Sequence, residues 1–125
     1  MNTALDKLLI VDLTREFFAA VASAMLGDFG AEVVRVESGA LGGTMQADGD
    51  RTALAALEAF ANRNKRPLRL DLDSDAGRST LRELLSKADV FATDHAKAEL
   101  DALGLSEESL RRANPGLIYA VASGF

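Results

Sequence analysis

The sequence predicts an α/β domain built on a mostly parallel five-stranded sheet with helices on both faces. Two observations carry the prediction. Short apolar runs alternate along the chain with segments of helical spacing, in the order βαβ(α)βαβ(α)β. The first run, Leu8-Leu-Ile-Val-Asp-Leu13, is apolar almost throughout, as a strand covered on both faces must be.

Each element has its local reason. Leu8 to Leu13 reads as the first strand, and Thr14 is placed to cap the next element. Phe18, Val21, Met25 and Phe29 fall at helical spacing and predict a helix from Arg15 to Asp28. Gly30 stops it. Glu32 to Val36 is the second strand, expected beside the first near the sheet centre. Ser38 to Asp50 is glycine-rich and aperiodic, hence a loop, with Gly42 and Gly43 supplying flexibility. Leu54, Leu57 and Phe60 or Ala61 lie on one face and predict a helix over 51–61. Leu68 to Leu72 alternates apolar with charged residues, which suits a half-exposed third strand after Pro67.

Asp73 or Ser74 can cap the clearest helix, 75–88, whose apolar face is Leu81, Leu84, Leu85 and Ala88. Residues 89–92 form a fourth strand. Lys97 to Leu103 is a short helix stopped by Gly104, and Ser106 caps another with Glu107 and Glu108 in its first turn. Asn114-Pro-Gly116 turns the chain into a fifth strand, 117–122. The chain then stops without a covering helix, which suggests a segment of a larger enzyme. Leu117, Ile118 and Val121 are expected to need a partner surface.

Composition narrows the function classes. The 125 residues suit one domain, 48% hydrophobic and only 6% aromatic, so the core is aliphatic. There is no cysteine and a single histidine, which excludes disulfides and thiolate metal sites and leaves no His-rich metal centre. The net charge of −5 argues against general nucleic-acid binding. No secretory leader and no bilayer-length apolar run is visible, so the expected location is the cytoplasm.

Ligands of parallel α/β sheets bind beyond the carboxyl ends of the strands. After the first strand, Asp12-Leu-Thr-Arg-Glu16 has no glycine, so neither a G-x-G-x-x-G turn nor a Walker loop is present. The acid pair and lysine of a phosphoacceptor receiver domain are also absent. Cations concentrate instead in Arg35 and in Arg63, Lys65, Arg66 and Arg69, the last four within seven residues. In an acidic protein such a cluster reads as a solvated turn or as a phosphate site. His95, in Thr93-Asp-His95, is a candidate base or stacking surface.

Several segments in order carry a resemblance. They are Ile10-Val-Asp-Leu-Thr-Arg15, Leu26-Gly-Asp-Phe-Gly-Ala-Glu-Val-Val-Arg-Val-Glu37 and Asn62-Arg-Asn-Lys-Arg66, then Leu70-Asp-Leu72, Ala76-Gly-Arg78 and Ala88-Asp-Val90. Leu103-Gly-Leu105, Asn114-Pro-Gly-Leu-Ile-Tyr119 and Ser123-Gly-Phe125 complete them. The chain resembles the N-terminal segment of the family III CoA-transferases, which include formyl-CoA transferase, carnitine CoA-transferase and α-methylacyl-CoA racemase.

The resemblance implies a Rossmann-like three-layer domain over residues 1–125 that holds coenzyme A, without a metal, as part of a larger oligomeric enzyme. It implies an acyl-CoA and a carboxylic acid as substrates, or α-proton chemistry in the racemase branch. The residues it points to for CoA are Arg35, Asn64, Lys65 and Arg66. Arg15, Asp94 and His95, which follow the first and fourth strands, complete the candidate CoA contacts, although Thr93-Asp-His-Ala-Lys-Ala98 departs from the family's Glu-Asn-Phe-Arg-Pro-Gly there. The family's catalytic aspartate would lie beyond Phe125, and none of Asp12, Asp71, Asp73 or Asp94 matches it. Where the family has a small Ala-Gly-Pro after the first strand, this chain has Phe18-Ala19-Ala20, preceded by Glu16 and Phe17. Bulk there would favour a non-catalytic scaffold, and a plain α/β ligand-binding domain is the remaining alternative.

Overall fold

A computed structural model describes residues 3–39 and 51–124. Most of the glycine-rich loop after Glu37, including Gly42 and Gly43, lies outside the described residues. The elements run β1 (Leu9–Leu13), α1 (Phe17–Asp28), β2 (Glu32–Glu37), α2 (Arg51–Ala61), β3 (Lys65–Arg69), α3 (Asp75–Leu85), β4 (Val90–Thr93), α4 (Lys97–Ala102), α5 (Glu107–Ala113) and β5 (Ile118–Val121). The five strands form one sheet in the order β3-β2-β1-β4-β5, and every pairing is parallel. β1 is therefore central with β2 at its side, as the apolar patterns of both predict.

Strand alternation sends side chains to two cores. Val11, Leu13, Val36 and Phe91 meet Leu81 and Leu85 of α3, Leu100 of α4 and Leu110 of α5 in the larger one. Phe91 packs edge-on against Tyr119 at a centroid distance of 5.3 Å. Burying a side chain of this size contributes about 1.5–3 kcal/mol. Ile10 and Val33 point the other way, with Ala31, into a smaller core; Ala20 of α1 and Ala61 of α2 are buried together nearby.

Two expectations are corrected, and α1 buries a face that its spacing does not mark. The buried face of α1 is Ala19, Ala20, Ser23 and Ala24, while Phe18, Met25 and Phe29 are exposed. Small side chains let the helix approach the sheet closely, and a helix apolar on every side gives no pattern that reveals this face. The third strand is Lys65–Arg69, several residues earlier than the alternation of 68–72 suggests. Pairing with β2, from Val33 opposite Lys65 to Glu37 opposite Arg69, sets its limits. Pro67 fits there because β3 is an edge strand. Leu72, beyond the strand, is fully buried. Finally, Leu117 is buried, whereas Ile118 and Val121 on β5 are 60% and 54% exposed.

Caps agree with the sequence in part. Ser74 Oγ accepts the Gly77 N–H at 3.0 Å and starts α3. Thr14 does not cap α1: its hydroxyl donates to Asp12 Oδ1 at 2.6 Å, and Glu16 is the N-cap without a side-chain bond.

Candidate functional site at the carboxyl edge of the sheet

From β1 the chain winds outward through β2 and β3, then returns to the other side of β1 as β4. The loops leaving β1 and β4 therefore diverge, and the crevice between them is where open α/β sheets take ligands. The crevice is bordered by Thr14-Arg15-Glu16 and Asp94-His95-Ala96.

Asp94 joins the two loops. Its carboxylate accepts the Arg15 N–H at 3.0 and 2.8 Å and the Glu16 N–H at 2.6 Å, and its side chain is 1% exposed. His95 is equally buried. Its Nδ1 lies 3.2 Å from Leu13 O and 3.2 Å from Thr93 Oγ1, and 3.5 Å from Asp94 Oδ1. A carbonyl only accepts, so the contact to Leu13 O is a hydrogen bond in the Nδ1–H tautomer. Arg15 reaches outward, 3.3 Å from Glu99 Oε1, with about a third of its side chain in solvent. A pair this exposed contributes at most about 1 kcal/mol, so an anionic ligand can draw the guanidinium away.

Lys65 is not at this edge. Its Nζ is buried against Asp12 Oδ2 at 2.6 Å and also donates to Ala20 O at 2.8 Å and Asn62 Oδ1 at 3.2 Å. Those three acceptors match the three ammonium protons. Asp12 is completed by Ser23 Oγ at 2.6 Å and by Thr14. Burial pulls the Lys65 ammonium below the ordinary lysine value; Asp12 opposes this, while Arg35 and Arg63 add to it. Lys65, expected from the resemblance at the CoA site, here forms a buried bond joining β1, α1 and β3.

The remaining candidates are divided along the sheet. Arg66 pairs with Val34 in register and forms an ion pair with Glu32, the first residue of β2. At about 3.3 Å per strand residue it lies roughly 10 Å from Arg69, towards the amino edge. Asn64 precedes β3, adopts φ +62°, and donates to Asp28 at the end of α1 at 2.7 Å. Arg63 also holds Asp28, at 2.7 Å, and its hydrogen bond is the main cause of a lowered Asp28 pKa. Arg35 is opposite Asp12 and Pro67, in the carboxyl half of β2, and donates to Glu37 Oε1 at 2.9 Å. Arg15, Asp94 and His95 thus gather at the crevice with Arg35 on a neighbouring strand, while Asn64 and Arg66 face the opposite edge.

The structure also contains a cleft of about 720 Å³ beside the crevice, lined by His95, Lys97 and Leu100, by Ser106 and Arg111, and by Tyr119 and Val121 of β5. The sequence carries no motif for it. Its only local signal is the four-residue spacing of the pairs Lys97–Asp101 and Glu107–Arg111, at 2.7 and 2.9 Å. Among the described residues no cluster of three or more His, Asp or Glu side chains could hold a metal ion. No described helix is long and apolar enough to cross a membrane.

Comparison with known proteins agrees with this architecture. The model of CoA-transferase family III matches residues 5–125. The chain is 35% identical to a succinyl-CoA:mesaconate CoA-transferase of Haloarcula hispanica, over 98% of the chain and 32% of that protein. It is 34% identical to an acetyl-CoA:oxalate CoA-transferase of Acetobacter aceti, over 96% of the chain and 31% of that protein. A CaiB/BaiF family protein from Brucella suis superposes over 100% of the chain and 34% of its own length, with a TM-score of 0.86 and 36% identity. The chain spans about a third of the length of the curated relatives it matches.

Proposed function

The chain belongs to CoA-transferase family III, and on that premise we propose that it is the N-terminal, Rossmann-like portion of an enzyme that moves coenzyme A between carboxylic acids. The observation that carries the reading is the switch-point crevice between β1 and β4, which places Arg15 beside the loop of His95. CoA is polyanionic, so its recognition here needs cations that can be drawn away from their partners. Arg15 is such a group, and Arg35, paired with Glu37 on the neighbouring strand, adds positive charge beside it. The buried His95 ring and its loop form one wall.

The substrates proposed are an acyl-CoA and a carboxylic acid, handled by a homo- or hetero-oligomer in the cytoplasm. The nucleophilic aspartate is proposed to come from further polypeptide, in this chain or in a partner. Proton abstraction beside the thioester carbonyl, as in the racemase branch, is the alternative chemistry for the same CoA site. A non-catalytic scaffold is the second reading. It is favoured by Phe17 and Phe18, 38% and 52% exposed at the start of α1.

Calorimetry with CoA tests the proposal. Binding should weaken as salt rises, because exposed charge contacts are screened. Adenosine 3′,5′-bisphosphate should compete. Arg15→Ala with Arg35→Ala should cost about 1–3 kcal/mol of affinity, the scale of charge-assisted hydrogen bonds. Absent binding, in a folded sample that includes any partner, would leave the scaffold reading.

A further inference from the structure

We propose that Asp94 is a built-in anion, a specificity-determining residue that closes the β1–α1 loop amides to the phosphates of a nucleotide. One carboxylate takes the N–H groups of two successive loop residues, Arg15 and Glu16, at 2.6–3.0 Å, with its side chain 1% exposed. These amides occupy the place in the sheet topology, immediately after the central strand at the switch point, where a glycine-rich loop would present its backbone to a pyrophosphate. The donors here are already paired with a charged acceptor. A phosphate brought to the same amides would meet a buried negative charge within hydrogen-bonding distance, and its own oxygens would find no proton to accept.

The surrounding sequence agrees with permanent closure. Thr14, Arg15 and Glu16 include no glycine, so the backbone has no conformational freedom reserved for a close ligand. The Arg15 side chain turns away to Glu99 while its N–H stays on Asp94. A diphosphate held at this edge is therefore recognised by side chains, that of Arg15 among them, and not by the backbone amides of the loop. The inference rests on the proposed nucleotide site only for the identity of the excluded ligand, and inorganic pyrophosphate tests it without CoA.

The test tracks the Arg15 and Glu16 amide resonances during titration with inorganic pyrophosphate at low ionic strength. In the unmodified protein no saturable shift is expected at either amide. In Asp94→Ala both amides should exchange faster with solvent. Formate should restore their protection, and pyrophosphate should shift them saturably; a merely structural role for Asp94 would produce no such anion response. Asp94→Asn keeps an acceptor oxygen without the charge and serves if the alanine variant does not fold, its amides then gaining the pyrophosphate response. A saturable pyrophosphate shift at these amides in the unmodified protein overturns the proposal, whatever the variants do. So does a folded variant whose amides ignore both anions. Loss of CoA binding with the amides still silent to pyrophosphate would count against the CoA site and leave this inference standing.

Discussion

Lys65 Nζ lies 2.6 Å from Asp12 Oδ2, with the two side chains 1% and 0% exposed. The pair spans 53 residues of sequence and fastens the edge strand β3 to the central strand β1 beneath α1. Every ammonium proton has an acceptor, and Asp12 takes two hydroxyls besides. A buried ion pair offsets its desolvation only when its geometry is complete, as it is here.

Asp12→Ala should therefore destabilise the fold by about 3–5 kcal/mol, because it strands a buried ammonium. Replacing both partners with apolar residues, Asp12→Leu with Lys65→Met, should recover part of the loss. Urea unfolding measures both. A loss below about 1 kcal/mol for Asp12→Ala, the scale of an exposed pair, would show that water reaches the site.

The inward face of α1 gives opposite expectations for neighbouring positions. Ala20 is 4% exposed against α2 and the sheet, so Ala20→Leu should cost about 1–3 kcal/mol by overpacking. Phe18 is 52% exposed, and Phe18→Ser should change stability by no more than about 0.5 kcal/mol. Thermal melts of the two variants distinguish this helix orientation from the one with Phe18 inward, which would reverse their order.

Gly77 sits in the first turn of α3, where an added Cβ would lie 1.8 Å from the Asp71 carbonyl oxygen. Helix propensity alone would make Gly77→Ala stabilising by about 1 kcal/mol. The clash with backbone should reverse the sign and cost about 1–3 kcal/mol. Denaturant midpoints decide, and a stabilised variant would contradict the close packing of α3 on the β3–α3 turn.

Tyr119 donates its hydroxyl to Leu105 O at 2.7 Å, and burial, aided by Glu107 and Asp101, raises its pKa above 10.0. The folded state then holds the phenolic proton more tightly than the unfolded chain. Its contribution is complete below about pH 10 and is lost as pH rises through the folded value. Tyr119→Phe should flatten that alkaline part of the stability profile. Tyr119 is the sole tyrosine and there is no tryptophan, so phenolate absorbance reports its titration directly. A titration at the ordinary tyrosine value would remove the effect.

The legible parts of this protein are those set by neighbouring residues. Leu9–Leu13 announces a strand covered on both faces, Ser74 starts α3 three residues before Gly77, and Gly30 and Gly104 take the positive φ that ends their helices. The apolar character of β1 and β2 also placed them together at the middle of the sheet. The candidate site was less legible. Arg15, Asp94 and His95 come after strands and could be found by position, but the cations of 62–66 look alike in sequence whether they face a ligand, a carboxylate or the opposite edge.

The sequence by itself determined the order and kind of the elements, the parallel α/β class and the composition of the core, because periodicity and caps act over a few residues. Only the tertiary structure decided which side of α1 is buried, that Lys65 lies inside on Asp12, and that Asp94, 79 residues from Arg15, fills the loop after β1. The physical reason is that a side chain's surroundings depend on sheet register and helix docking. Those are fixed by packing between distant segments, where an alanine face can outcompete phenylalanines for contact with the sheet and a buried carboxylate can choose between an ammonium and a pair of amides.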